Sequence, residues 1–346
     1  MGPSCMTTEP RIICVGGNQE SFVALQGLVE AKANVVAVVT LPAGQAKPAC
    51  DYFDLHDPCQ EWGIPTIDAK NINRPSLVPT LSGLEPDYIY TLGWNQLFGM
   101  PLLQVPREYA VGSHPSLLPE GRGRAPIPWA ILEGKNHMAV SLFRMDAGVD
   151  AGPILLQKPF ELPSVADAQQ VYQLVAENLR DAFCQLLRLH RSQHTVAAVA
   201  QDESQASYRA KRVPADGHID FQRPAEEIAR LIRAVSHPYP GAYAYYQGSR
   251  ISIWKSRLDG VPNYRGVPGQ IVKIEENRLL VQANDTPLWI SDFSEDDHGA
   301  DISQFRAGDR FGYAIEDEIH QLRNEIRILR RIVENQRDTL SGKSAA

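Results

Sequence analysis

The chain has 346 residues, of which 43% are hydrophobic and 22% charged, and its formal net charge is -7 at pH 7. This length predicts two domains of a soluble globular protein, and no apolar run reaches the roughly 20 residues of a membrane span. The negative charge disfavours a broad nucleic-acid-binding surface, while five scattered cysteines without a C-x-x-C pair favour a reducing cytoplasm and argue against a metal site.

The first predicted elements form a strand–turn–helix–strand unit. An apolar run over 11–15 ends in Gly16-Gly17, a helix-compatible segment extends to about Ala33, and a second apolar run covers 35–40. This order predicts parallel strands. Because the turn lacks the spacing of a full G-x-G-x-x-G, it predicts tight backbone geometry rather than a dinucleotide site.

Strands and helices continue to alternate through residue 192. Further strands are predicted at 88–92, 109–113 and 139–144, and helices near 127–132 and 166–189. The alternation predicts a doubly wound, Rossmann-like α/β domain over 11–192. Ligands of such sheets bind at the carboxyl ends of the strands, where Leu92-Gly93 and His114 fall.

The second half of the chain has a different pattern. The polar stretch 193–215 predicts a linker, and a short helix opened by Pro224 follows it. Strand-like runs at 242–246, 250–254, 269–274 and 279–282 are separated by Gly, Pro and Asn turns. Residues 216–312 are therefore predicted to form a small antiparallel barrel or sheet.

The C-terminal segment 315–340 carries a heptad pattern. Isoleucine or valine falls at the a positions and leucine at the d positions, namely Ile319, Ile326, Val333, Leu322 and Leu329. β-Branched a with leucine d favours a parallel two-stranded coiled coil and hence a homodimer. Glu318 could then face Arg323, and Glu325 could face Arg330, across the dimer. The alternative is one amphipathic helix packed back on its own barrel.

Two segments carry the strongest chemical signal: GSHPSLLPEGRGRAPIPWAILEG, residues 112–134, and MDAGVDAGPI, residues 145–154. They place His114 at the end of a predicted strand and Asp150 in a glycine-flanked turn. A histidine that moves protons near neutral pH needs a partner to fix its tautomer, and a buried carboxylate is the usual one. Taken singly, the two residues would fit a satisfied polar side chain and a turn former.

Together these segments resemble the 10-formyl-tetrahydrofolate-dependent formyltransferases, and a weaker resemblance covers about residues 11–312. The resemblance implies an OB-like C-terminal barrel, 10-formyl-tetrahydrofolate as co-substrate, and a catalytic trio of asparagine, histidine and aspartate. His114 and Asp150 match the trio, but the asparagine position falls on Gly112. Ser113, Asn95 or an ordered water could supply the missing hydrogen-bond donor.

The resemblance also implies binding residues around this trio. Arg122 and Arg124 are predicted to contact substrate phosphate, because arginine can fork onto phosphate oxygens, and Ser113 is predicted to contact the substrate. For the arginines, the alternative is a solvated surface pair. The expected folate pocket comprises Leu92, Gly93, Trp94, Leu117, Leu118 and Asp146.

The formylated amine is predicted to belong to a nucleotide-linked amino sugar. Where tRNA-formylating members carry a basic insertion, this chain has one lysine, Lys47, against Asp51, Asp54 and Asp57. Those carboxylates would repel nucleic-acid phosphates. The alternatives are a methionyl-tRNA formyltransferase, a glycinamide ribonucleotide formyltransferase, which would lack a domain like 216–312, or a folate- or nucleotide-binding protein without transferase activity.

Overall fold

The computed structural model describes residues 9–44, 51–193, 196–295, 298–299, 301–313 and 315–342. Its N-terminal strands are β1 Arg11–Val15, β2 Asn34–Thr40, β3 Thr66–Asp68, β4 Tyr88–Thr91, β5 Tyr109–His114, β6 Arg122–Gly123, β7 His137–Arg144 and β8 Ile154–Glu161. The helices of this half are α1 Gln19–Glu30, α2 His56–Glu61, α3 Leu77–Ser82, α4 Met100–Leu103, α5 Pro126–Leu132 and α6 Ala168–Ser192.

In this described part, the main sheet has the order β3-β2-β1-β4-β5-β7-β8. The strands from β3 to β5 are parallel, whereas β7 and β8 run antiparallel to their neighbours. Alternate residues of β1 enter two separate cores: Ile12 packs on the side of α1 and α6, and Ile13 on the side of α3 and α4. Burial of both sheet faces confirms the predicted doubly wound domain.

The long helix α6 begins where its sequence carries a capping box. The Asp167 carboxylate accepts a hydrogen bond from the Gln170 amide at 2.9 Å, and the Gln170 side-chain oxygen accepts one from the Asp167 amide at 3.1 Å. These two bonds satisfy backbone donors that the first turn leaves open. The apolar face of α6 then packs against α1 and the sheet, and this packing holds α1 in place.

The second half forms a separate antiparallel sheet. Its elements are β9 Tyr208–Arg209, α7 Ala225–Ala234, β10 Ala242–Tyr246, β11 Ser249–Arg257, β12 Ile271–Glu275, β13 Arg278–Gln282, β14 Pro287–Glu295 and β15 His298–Gly299. The order is β10-β11-β14-β13-β12, with β15 beside β14. The segment after β15 bonds to both edges, because the Ile271 amide donates to the Asp309 carbonyl and the Gly312 amide to the Tyr245 carbonyl.

The stretch predicted to be a linker lies against the N-terminal domain. Val199 and Ile154 exchange backbone hydrogen bonds of 2.8 and 2.7 Å, and β9 pairs in parallel with β6. The described part of the predicted linker is therefore hydrogen-bonded to the N-terminal domain. Two-residue strands and isolated bridges are too short to leave a periodic pattern in the sequence, so they could not be read from it.

The C-terminal helix α8, Ile315–Gly342, presents apolar side chains to solvent over residues 319–333. The a and d side chains are between 43% and 61% exposed, namely Ile319, Leu322, Ile326, Leu329 and Val333. The alternative of a helix packed back on the barrel is therefore not what this structure shows. None of the helices in the described ranges is both long and apolar enough to cross a membrane.

Candidate active site

A cavity of about 540 Å³ lies at the carboxyl ends of β1, β4 and β5 and reaches the loop after β7. This volume falls in the range of small-molecule sites, and the position is where doubly wound sheets bind ligands. The cavity brings together seven of the residues predicted from the sequence, namely Gly93, Trp94, Asn95, Ser113, His114, Arg124 and Asp150.

His114 is the last residue of β5, and both of its ring nitrogens have defined surroundings. Nε2 lies 2.9 Å from the carbonyl oxygen of Gly121. Because a carbonyl only accepts, Nε2 carries the proton in the neutral ring, and Nδ1 then holds a lone pair. Nδ1 lies 3.6 Å from Oδ2 of Asp150. The imidazole can thus accept a proton at Nδ1, and the carboxylate would stabilise the cation that forms.

Asp150 occupies a constrained position in the turn between β7 and β8. Its φ of 52° lies in the left-handed region, which costs a residue with a side chain about 1–2 kcal/mol. Its Oδ2 accepts a hydrogen bond of 2.9 Å from the Gly123 amide. The conformation aims the carboxylate back at His114, and the Gly123 bond holds it there.

The position of the family's asparagine is filled by an aromatic ring. A Cβ atom built on Gly112 would lie 2.5 Å from Cζ of Phe143, a distance that real Cβ atoms do not show. The Phe143 side chain is buried in β7 and lines the cavity. Gly112 therefore makes room for an apolar wall at the position where the resemblance implied an asparagine.

Of the three candidates for the missing hydrogen-bond donor, two are side chains, Ser113 and Asn95, and their surroundings differ. The Ser113 hydroxyl donates its one hydrogen to the Thr91 carbonyl at 2.7 Å. The Asn95 side chain is exposed in the cavity and has no hydrogen-bond partner among the described residues. Its amide is therefore available to donate to a ligand.

The two predicted phosphate-binding arginines have different surroundings. Arg124 is exposed, lines the cavity and has no ion-pair partner in the described part of the chain. Arg122 is fully buried outside the cavity lining, and its guanidinium donates to Glu203, Gln201 and Tyr208 at 2.7–3.2 Å. These bonds use all five of its N–H donors and raise its pKa. In this structure Arg122 therefore has no free N–H group to offer the phosphate that was expected there.

The residues expected around folate also separate into two groups. Gly93 and Trp94 line the cavity. Leu92 and Leu118 are buried in the protein core, Leu117 is 50% exposed, and the Asp146 carboxylate accepts a bond from the Gly148 amide at 2.8 Å. None of these last four is among the described residues that line the cavity.

One wall of the cavity was not predicted. It contains Glu20 at the start of α1, Asp51, Tyr172 of α6 and Tyr239 from the loop after α7. Burial and the neighbouring Asp51 raise the pKa of Glu20 to about 7. The sequence signal was the end of β1, where the Gly16-Gly17 turn precedes Glu20; this turn was interpreted only as backbone geometry.

A doubly wound sheet with an imidazole and a carboxylate at its strand ends, joined to an antiparallel domain, is an architecture suited to enzymatic proton transfer. Two family models match the chain: "Formyl transferase" over residues 12–187 and "Formyl transferase, C-terminal domain" over residues 211–310. The chain belongs to the formyl transferase family, whose members use 10-formyl-tetrahydrofolate.

Solved structures share this fold at low sequence identity. HypX from Aquifex aeolicus in complex with tetrahydrofolic acid is 16% identical with a TM-score of 0.60, over 88% of this chain and 51% of that one. This chain spans about half the length of HypX. The sugar 3N-formyl transferase WlaRD, with dTDP and 5-N-formyl-THF, is 17% identical at 0.60, covering 84% and 98%. The N-formyltransferase from Helicobacter canadensis, with folinic acid and dTDP-3-aminofucose, is 16% identical at 0.58, covering 81% and 98%.

Three observations show that the cavity fits the formyl donor. Its volume of about 540 Å³ suits a ligand with a fused ring and a side arm. The indole N–H of Trp94 is buried and has no acceptor among the described residues, so a bound ring can supply one. Gly93 has a φ of 105°, so the backbone can turn next to Trp94, and it has no side chain that would obstruct the bound ring.

Proposed function

We propose that the protein transfers the formyl group of 10-formyl-tetrahydrofolate to the amino group of a nucleotide-linked amino sugar. The observation that carries the proposal is the pairing of a proton-accepting Nδ1 on His114 with the Asp150 carboxylate, 3.6 Å away, in the strand-end cavity. His114, Asp150 and Asn95 are the proposed catalytic residues.

In this scheme His114 moves the proton that formyl transfer must relocate. As the substrate amine bonds to the formyl carbon, Nδ1 accepts the proton that the amine loses, and Asp150 stabilises the resulting imidazolium. The Asn95 amide donates to the formyl oxygen as negative charge develops on it. The carbon–nitrogen bond to the folate then breaks, and His114 returns the proton to the departing nitrogen.

The charge distribution around the cavity supports a sugar nucleotide. Arg124 is an exposed, unpaired guanidinium in the described cavity wall, as a local phosphate contact requires. The lining also carries Glu20 and Asp51, whose carboxyl groups suit hydroxyl or amino groups of a ligand. A cavity that offers both a free guanidinium and carboxyl groups favours a ligand that contains both a phosphate and an amino sugar.

Turnover and binding together discriminate the alternatives. The protein is incubated with 10-formyl-tetrahydrofolate and a panel of nucleotide-linked amino sugars, and formylated products are sought by mass spectrometry. The proposal expects a formylated amino sugar. Folate binding measured by calorimetry, without product from any amine, would instead identify a binding protein without transferase activity.

We further propose that α8 pairs in parallel with α8 of a second copy of the chain. The exposed a and d side chains supply the apolar seam. Glu318 and Glu325 at g fall opposite Arg323 and Arg330 at e of the partner helix, so the charges are complementary in a parallel pair and support this occupant over an unrelated one.

Sedimentation of the full chain and of a chain ending at Tyr313 tests this pairing. We expect a dimer that becomes a monomer on truncation. A monomeric full-length chain would overturn the proposal, and a truncated chain that stays dimeric would show that α8 is not the sole determinant.

A further inference from the structure

The segment predicted as a linker contacts the residues that hold His114 and Asp150. The Ser207 side-chain oxygen accepts a hydrogen bond of 2.9 Å from the Gly121 amide, and the Gly121 carbonyl is the group that binds His114 Nε2. Gly123, on the other side of Arg122, donates to the Asp150 carboxylate. Residues 121–123, which include β6, therefore hold both members of the pair, and β9 pairs with β6.

Gln201 connects this strand to the backbone of the Asp150 turn. Its side-chain oxygen accepts from Nε and Nη2 of Arg122 at 3.2 and 2.9 Å. Its side-chain nitrogen donates to the carbonyls of Asp150 and Gly152 at 2.8 and 2.7 Å. Arginine can only donate and carbonyls only accept, so a flipped Gln201 amide would lose all four bonds.

The turn needs such support because of its backbone. Asp150 adopts φ 52°, an unfavourable conformation for a residue with a side chain, and it persists only where neighbours hold it. Gln201 ties the carbonyls on this turn, while Gly123 ties the Asp150 carboxylate. Arg122 is fixed in turn by Glu203, whose two oxygens lie 2.9 and 2.7 Å from its guanidinium nitrogens.

We propose that Gln201 is a positioning residue for Asp150, oriented by Arg122 and Glu203, and that the segment around it is part of the active site rather than a connector. The positioning of the Asp150 turn by Gln201 is argued from the contacts alone, whereas its effect on turnover rests on the proposed function. Gln201 lies outside the described cavity lining and acts through the Asp150 turn.

Gln201→Glu is the sharpest variant. It keeps an oxygen for Arg122 but removes the two N–H groups that hold Asp150 and Gly152. Gln201→Ala removes both functions, and Gln205→Ala is the matched control, since Gln205 lies four residues away and its described side-chain bond is to Ser204. Each full-length variant is compared by thermal unfolding, by kcat and KM, and by hydrogen–deuterium exchange of the segment containing Gly123.

In Gln201→Glu we expect the amides of the segment that contains Gly123 to exchange roughly tenfold faster than in the parent. We also expect kcat to fall roughly 10²-fold, while KM stays near that of the parent. Gln205→Ala should match the parent in all three measurements. If the parent has no transferase activity, the proposed function fails, but exchange still tests the positioning role. The inference would be overturned if the Gly123 segment of Gln201→Glu exchanged at the rate of the parent, or if this variant changed KM and left kcat unchanged. If both Gln201 variants unfold, Glu203→Gln serves instead, because Glu203 is the exposed residue that orients Arg122 and, through it, Gln201. This variant must also speed amide exchange of the Gly123 segment, and its failure to do so would overturn the inference.

Discussion

The ring of Phe143 occupies the space that a side chain at Gly112 would need, with 2.5 Å between Phe143 Cζ and a Cβ built on Gly112. An asparagine at position 112, which the family resemblance implied, would therefore have to displace a buried aromatic residue. In the mechanism that we propose, Asn95 supplies the hydrogen bond to the formyl oxygen instead.

Restoring the asparagine should harm the protein rather than improve it. We expect Gly112→Asn to lower the free energy of unfolding by about 1–3 kcal/mol, because it overfills a packed site, and urea denaturation measures this loss. Gly83→Asn is the control, since Gly83 is exposed and a Cβ there would lie 3.4 Å from the nearest atom. In a Phe143→Ala background, Gly112→Asn should cost less stability than it does in the parent. Unchanged stability in the single variant would show that Phe143 does not fill this space.

His114→Ala and Asp150→Asn should each reduce kcat by about 10²–10⁴-fold, since each removes a proton-handling group. Both lie at a strand end and a turn rather than in the centre of the sheet, so circular dichroism should remain that of the parent. Near-normal turnover in either folded variant would remove that residue from the catalytic pair.

The two arginines of the loop should respond differently. Arg124→Ala should raise KM for the nucleotide-linked sugar more than KM for the folate, and its melting temperature should stay that of the parent. Arg122→Ala should instead lower the melting temperature, because it leaves Gln201, Glu203 and Tyr208 without their shared partner. A larger change in the folate KM of Arg124→Ala would mean that this arginine binds the other ligand.

Stability should fall in mild acid because of His190. The ring bonds to the hydroxyls of Tyr90 and Tyr109 at 2.6 and 2.7 Å and stacks on Tyr88 at 3.8 Å, and burial, aided by Arg144, lowers its pKa from 6.5 to about 3. Below pH 6.5 the His190 side chain of the unfolded chain binds a proton that the folded chain excludes. The contribution of the neutral His190 to the free energy of unfolding is therefore complete above pH 6.5 and is lost as pH falls toward 3.

The slope of that loss is up to about 1.4 kcal/mol per pH unit for one group, and denaturation at several pH values measures it. His190→Gln should flatten the dependence, at some cost in stability at pH 7, while His137→Gln on the surface should not. An equal slope in His190→Gln and the parent would show that the acid sensitivity has another source.

The sequence predicted the bounds of β1 and β10 from their apolar runs, although β1 is buried on both faces and β10 only at alternate residues. It also predicted the positions of His114 and Asp150. It could not predict that Arg122 faces Glu203, because an arginine in a glycine-rich loop has the same local pattern whether it meets a ligand or a carboxylate 81 residues away. Glu20 was missed for the same reason: its neighbours in the cavity come from distant elements.

The most direct test of the account is formylation measured in one assay on two acceptors, a nucleotide-linked amino sugar and initiator methionyl-tRNA, with 10-formyl-tetrahydrofolate as donor. The account predicts a formylated sugar, formed at a rate that Asp150→Asn reduces by about 10²-fold or more, and little or no formylated tRNA. Efficient formylation of the tRNA with none of the sugar, or a rate on the sugar that Asp150→Asn leaves unchanged, would contradict it.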